Sequence, residues 1–183
     1  MFYNLFKEKD KKIQVKLNLN RFGILIVDMQ YSFLKEIHPK KSKELIERQR
    51  ELIEICGEKN YPVIVVEYSN HGKTHKDLKE IIENLKYKCF LEKEKDDSFK
   101  NTSLKGVLKY YNIDDLLITG ISSLFCVKDT VQSARRFFNN VITSKDLMEV
   151  QAYFVNRVDV ELKWYRENTI YFEDYKKIIS LIR

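Results

Sequence analysis

The chain has 183 residues, 44% of them hydrophobic and 13% aromatic, which supplies one buried core and leaves little for a second. Only 5 Gly and 2 Pro exclude collagen-like, linker-rich and low-complexity architectures. The net charge of +6 permits contact with nucleic acid, anionic surfaces or anionic small molecules, but Lys and Glu are interspersed along the chain. That mixing predicts a solvated basic surface and no nucleic-acid patch.

Residues 1–21 precede the first apolar run and are expected to form an arm or an added strand on the edge of a sheet. Aromatics alternate there with Lys, Glu and Asp, without the apolar block of a secretory signal. Apolar runs elsewhere are short and broken by charge, so no membrane partner is expected. Three Cys (Cys56, Cys89, Cys126) do not make a disulfide framework and suit a reducing cytoplasm.

Gly23 to Val27 is an unalternating apolar run, the pattern of a strand buried on both faces of a parallel sheet. A helix follows, with Leu45, Ile46, Leu52, Ile53 and Cys56 on one face, and Gly57 is expected to stop it. Pro62 opens the next strand, Val63 to Val66. A helix over Lys76 to Leu85 leads to a strand near Cys89 to Leu91. Leu104, Val107, Leu108 and Tyr111 mark another helix before the buried strand Leu116 to Thr119. Val127, Val131, Ala134 and Phe138 mark the helix after it. Val141 to Thr143 and Ile170 to Phe172 read as strands, with Val150 to Arg166 helical between them. About six βα repeats imply an α/β domain over residues 1–183: three α-β-α layers around a doubly wound, mostly parallel sheet.

In such a sheet, ligands bind beyond the carboxyl ends of the strands. Asp28 follows the first strand, Glu67 ends the second, Glu92-Lys93 follows the third, and Cys126 begins a helix after the fourth. An acid, an amine and a thiol therefore converge on one edge. A helix start and a nearby ammonium favour the thiolate, and a neighbouring carboxylate takes its proton, which are the needs of an activated nucleophile. Taken singly, each residue has a plainer use. Cys126 would be core packing, Asp28 a turn cap, and Lys93 part of a solvated charge run.

Three motifs now stand in order. Ile24-Leu25-Ile26-Val27-Asp28-Met29-Gln30-Tyr31-Ser32-Phe33 is an apolar strand followed by Asp, an apolar residue, Gln and Phe. Glu92-Lys93 is followed by Ser98-Phe99, and Thr119-Gly120-Ile121-Ser122-Ser123-Leu124-Phe125-Cys126-Val127 is the third. Together they resemble the isochorismatase-like cysteine hydrolases, a group of nicotinamidases, N-carbamoyl amidases and isochorismatase, over roughly Phe22 to Leu147.

The resemblance implies an isochorismatase-like fold and a small-molecule substrate, no cofactor, and a homo-oligomer. It implies Asp28 as general base, Lys93 as supporting cation and Cys126 as nucleophile. A cis peptide is implied between Ile121 and Ser122, with the Ser122 and Cys126 N–H groups as oxyanion hole. The implied activity is hydrolysis of an amide or ureide C–N bond through a thioester. The alternatives are a vinyl-ether hydrolysis of the isochorismatase type, with Asp as acid, and an idle binding member of the fold. Phe33, Tyr68, Phe99 and Phe125 are candidates for an aromatic pocket, or equally for core. Departures from the family are visible. Metal-binding nicotinamidases carry Asp-x-His and a further His after strand two. Here Glu67, His71 and His75 would reach three ligands only if their loop folded back, so no metal site is expected. Ser98 stands one place late, and Lys95 rivals Lys93.

Overall fold

The computed structural model describes residues 2–7 and 11–183. In chain order the elements are β1 (Phe2–Lys7), β2 (Lys11–Lys16), β3 (Phe22–Val27), α1 (Tyr31–Leu34) and α2 (Pro39–Lys59). Next come β4 (Val63–Tyr68), α3 (Lys76–Glu83), β5 (Lys88–Lys93), α4 (Leu104–Tyr110) and β6 (Asp115–Ile121). The remainder comprises α5 (Cys126–Ala134), β7 (Asn140–Ser144), β8 (Met148–Glu149), α6 (Val158–Asn168), β9 (Ile170–Phe172) and α7 (Tyr175–Ile182).

Seven strands form a parallel sheet in the order β5-β4-β3-β6-β7-β9, with β8 beside β6. All six residues of β3 are buried, which is why its run does not alternate. Successive side chains still point to opposite faces. Ile24 and Ile26 meet α2, α3 and α7 through residues such as Leu52, Ile82 and Ile178. Leu25 and Val27 meet the other layer through Leu104, Val131 and Tyr165. Three layers result, as the βα alternation predicts.

The strand order places the site. From β3 the chain steps outward through β4 to β5, then returns to lay β6 on the other side of β3. The direction of winding reverses between β3 and β6, and the crevice at their carboxyl ends opens there. Gly120, at φ +130°, lies opposite Val27 in this pair, and a Cβ on it would sit 1.9 Å from the Val27 carbonyl oxygen. Only glycine allows that approach.

Four expectations change. Of the arm or added edge strand expected for residues 1–21, the added strand is not seen among the described residues: β1 and β2 pair antiparallel in a two-stranded sheet of their own. Gly57 does not stop α2. The helix runs to Lys59 and ends on Asn60 in the left-handed region at φ +58°, while Gly57 lets Leu85 approach, at 2.8 Å from where a Cβ would stand. The segment read as helix from Val150 begins with a 3-10 turn over Ala152–Arg157 before α6. The α7 helix and the two-residue β8 are additions. Among the described residues no helix is long and apolar enough to cross a membrane.

Candidate active site

Asp28 follows β3 directly, in the left-handed region at φ +53°, a conformation Asp tolerates better than most residues. Its N–H donates to the Val66 carbonyl at 2.9 Å, so both neighbouring strand ends fix the turn. Lys93 is the last residue of β5, and Cys126 is the first of α5. Three separate segments thus deliver an acid, an amine and a thiol to one place.

Burial defines how these groups behave. Asp28 and Lys93 are each 1% exposed, and Lys93 Nζ lies 2.8 Å from Asp28 Oδ2. The Cys126 thiol is the second polar neighbour of this carboxylate. The contact is a close ion pair with a thiol beside it. Burial raises the Asp28 pKa above its usual value, against the opposing Lys93 charge and the neighbouring Cys126 thiol. The carboxyl group therefore holds a proton more readily than a surface Asp.

Cys126 begins α5, as its place after the fourth strand predicts, and is buried among the core residues of that layer. Burial pushes its thiol pKa up, and the Asp28 carboxylate pushes it further; the Lys93 ammonium opposes both with less effect. The net direction is upward, toward the protonated thiol.

The loop before Cys126 is firmly held. The Ile121–Ser122 peptide is cis, at the position the family resemblance implies. The Ser123 N–H donates to the Glu149 carbonyl at 3.0 Å, and the buried Tyr165 hydroxyl donates to the Ser123 carbonyl at 2.7 Å. The Ser122 carbonyl accepts from Phe125 and Val127. Among the hydrogen bonds of the described residues, the Ser122 and Cys126 N–H groups are unused.

Gln30 organises the opposite side. Its amide nitrogen donates to the carbonyls of Tyr68 at 2.9 Å and Gly72 at 2.7 Å, and its oxygen accepts the Tyr68 N–H at 2.7 Å. That clamp sets the loop after β4. There Phe33 stacks on His71 with centroids 4.7 Å apart, Tyr68 meets His71 edge-on at 5.3 Å, and the Tyr68 ring lies 5.1 Å from Lys93 Nζ. Phe33 and Tyr68 thus come together beside the lysine. Phe125 joins a second aromatic group with Phe154, at 5.1 Å, and Tyr153 beyond it. Phe99 goes elsewhere and packs on Phe137 and Phe138.

The possible metal ligands do not converge. The Glu67 carboxylate accepts from the Thr74 N–H at 2.7 Å and Oγ1 at 2.9 Å, with Lys73 3.1 Å away. His75 Nδ1 accepts the Asp77 N–H at the start of α3, and His71 stacks on Phe33. Among the described residues no group of three His, Cys, Asp or Glu side chains could hold a metal ion. A groove of about 550 Å³ lies by α1, α2 and α3, lined by Tyr31, Ile46, Arg50 and His75, and contains none of the three converging groups.

Sequence reading missed Asp96. Its Oδ1 accepts from the Cys126 thiol at 3.5 Å, and its carbonyl accepts from Lys93 Nζ at 2.9 Å. It passes for one more charge in the run Glu92–Asp97. Lys95, in contrast, is exposed, so the buried partner of Asp28 is Lys93. Ser98 is fully buried; its N–H and Oγ both bond Thr130 Oγ1 and tie this turn to α5.

Comparison with known proteins adds the family. The isochorismatase domain pattern matches residues 23–146, about two-thirds of the chain, including all three motifs. The chain belongs to the isochorismatase family. An uncharacterized isochorismatase family protein, YrdC of Bacillus subtilis, is 26% identical over 119 residues, which are 60% of this chain and 64% of that protein. The nicotinamidase SaPncA of Staphylococcus aureus shares the fold at a TM-score of 0.72 and 17% identity, over 83% of this chain and 99% of that one. So does the MAR1 ribonuclease of Caenorhabditis elegans, at 0.78 and 21%, over 90% and 82%. Such likenesses show the isochorismatase-like hydrolase fold; the reaction must be argued from the site.

Proposed function

We propose that this isochorismatase-family protein hydrolyses an amide or ureide C–N bond of a small molecule, with Cys126 as nucleophile, Asp28 as general base and Lys93 as the supporting cation. One observation carries the reading: a buried carboxylate, ion-paired to a buried lysine at 2.8 Å, stands against a thiol at a helix start.

The chemistry follows from the proton affinities. Asp28 takes the Cys126 proton as sulfur attacks the carbonyl carbon, so no resting thiolate is needed. The unused N–H groups of Ser122 and Cys126 receive the developing oxyanion. Collapse of the tetrahedral species breaks the C–N bond, and Asp28, whose raised pKa suits a proton donor, returns its proton to the departing amine. Asp28 then activates water, which releases the acid from the thioester and restores the thiol. Phe33, Tyr68 and Phe125 offer flat apolar walls for a ring or acyl chain, and the SaPncA likeness agrees with an amide substrate.

A panel of small amides and ureides scored for ammonia release tests the reading. Cys126→Ala is expected to lose at least about 10³-fold in turnover on any substrate found, the scale on which removal of a catalytic nucleophile acts. A vinyl-ether hydrolysis with Asp28 as acid has no need of the thiol and releases no ammonia, so no turnover on the panel together with vinyl-ether cleavage that persists in Cys126→Ala would favour that alternative, and full ammonia release by Cys126→Ala would rule out the thioester.

A further inference from the structure

The proposed reaction gives Asp96 no part, yet the residue is held at the nucleophile from both ends. Its Oδ1 receives the Cys126 thiol and its carbonyl receives the Lys93 ammonium. The turn that carries it is fastened to α5 by the Ser98–Thr130 bonds and by Ser133 Oγ donating to Asp97 Oδ2 at 2.6 Å. Unlike Asp28, Asp96 is exposed, so an incoming molecule meets it.

The surrounding charge is acidic although the protein as a whole is basic. Lys93 is engaged by Asp28, and Lys128 by Glu161 at 2.8 Å. Asp129, in the first turn of α5, feels the negative charges of Asp96 and Asp97. Behind them stands the buried carboxylate of Asp28, paired with Lys93.

A carboxylate only accepts hydrogen bonds. Once Cys126 gives up its proton to react, Asp96 Oδ1 loses its donor and faces a developing thiolate. An N–H of the substrate replaces that donor; a second carboxylate does not. We propose that Asp96 determines charge specificity at this site, admitting neutral or cationic carbonyl compounds that present an N–H and repelling those with a carboxylate beside the reacting carbon. This rests on Cys126 being the nucleophile.

Two alkylating agents of similar size, iodoacetamide and iodoacetate, probe the field directly. The rate at each cysteine is read by mass spectrometry of its peptide. The ratio of the two rates at Cys126 cancels the reactivity of the thiol itself and does not depend on turnover. Asp96→Asn is expected to raise the iodoacetate-to-iodoacetamide ratio about fivefold, the effect of one unit charge about 4 Å away at the dielectric of water. Asp96→Glu should keep the wild-type ratio, and so should Glu94→Gln, which removes an equal charge two residues away. The gain should shrink at about 1 M salt. An unchanged ratio in Asp96→Asn, or an equal gain in Glu94→Gln, overturns the proposal. Alkylation of Cys89 with none at Cys126 by either reagent also overturns it, because a thiol beyond reach leaves Asp96 nothing to select. Failure of the nucleophile reading is separate: it shows as turnover preserved in Cys126→Ala.

Discussion

Two buried carboxylates end neighbouring strands, and they are used in opposite ways. Glu67, at 3% exposure, spends its oxygens on the Thr74 N–H, the Thr74 hydroxyl and Lys73. Asp28, one strand over, has a buried lysine at 2.8 Å and the Cys126 thiol beside it. A carboxylate whose acceptor sites are filled by fixed donors fastens a loop. One whose partners are an ammonium and a thiol can move a proton. Charge and burial alone do not separate the two; the identity of their partners does.

Substitutions at both ends sharpen this contrast. Asp28→Asn keeps the shape and removes the base, and turnover is expected to fall by at least about 10²-fold in a steady-state assay. Glu67→Ala should fall far less per folded molecule and lose stability instead. It leaves the buried Thr74 N–H without an acceptor, worth about 1–3 kcal/mol by urea unfolding. Equal turnover losses in the two variants would break the distinction.

The lysines come next. Lys93 lowers the Cys126 pKa, whereas burial and Asp28 raise it. Removing that cation must move the thiol higher still, so less thiolate exists at a given pH. Lys93→Met is expected to shift the pH profile of Cys126 alkylation upward by about one unit or more. The exposed Lys95→Met should leave the profile in place. Wild-type Cys126 should itself be alkylated more slowly than free cysteine at neutral pH.

The contrast between Glu67 and Asp28 also marks how far the sequence could be read. Strands β3, β4 and β6 stand out because burial on both faces leaves unbroken apolar runs. Asp28, Lys93 and Cys126 were findable because strand ends in this architecture converge. Gly57 misleads because glycine serves two purposes. Here it admits Leu85, while Asn60 makes the turn that ends α2. The α7 helix had a signal in Asp174, which caps the Lys176 N–H ahead of Tyr175, Ile178, Ile179 and Ile182. Asp96 had none, since its meaning lies in a contact across 30 residues with Cys126. The upward shift of the thiol was equally hidden, because a helix start is visible in sequence and the depth of burial is not.

The covalent step is the central claim. Wild-type protein mixed with a substrate from the ammonia-release panel and quenched in acid within one turnover should carry the acyl group on the Cys126 peptide. The adduct should appear together with the first equivalent of ammonia, and Cys126→Ala should show neither. An acyl group found on Asp28, or ammonia released at the wild-type rate by Cys126→Ala, would contradict the account.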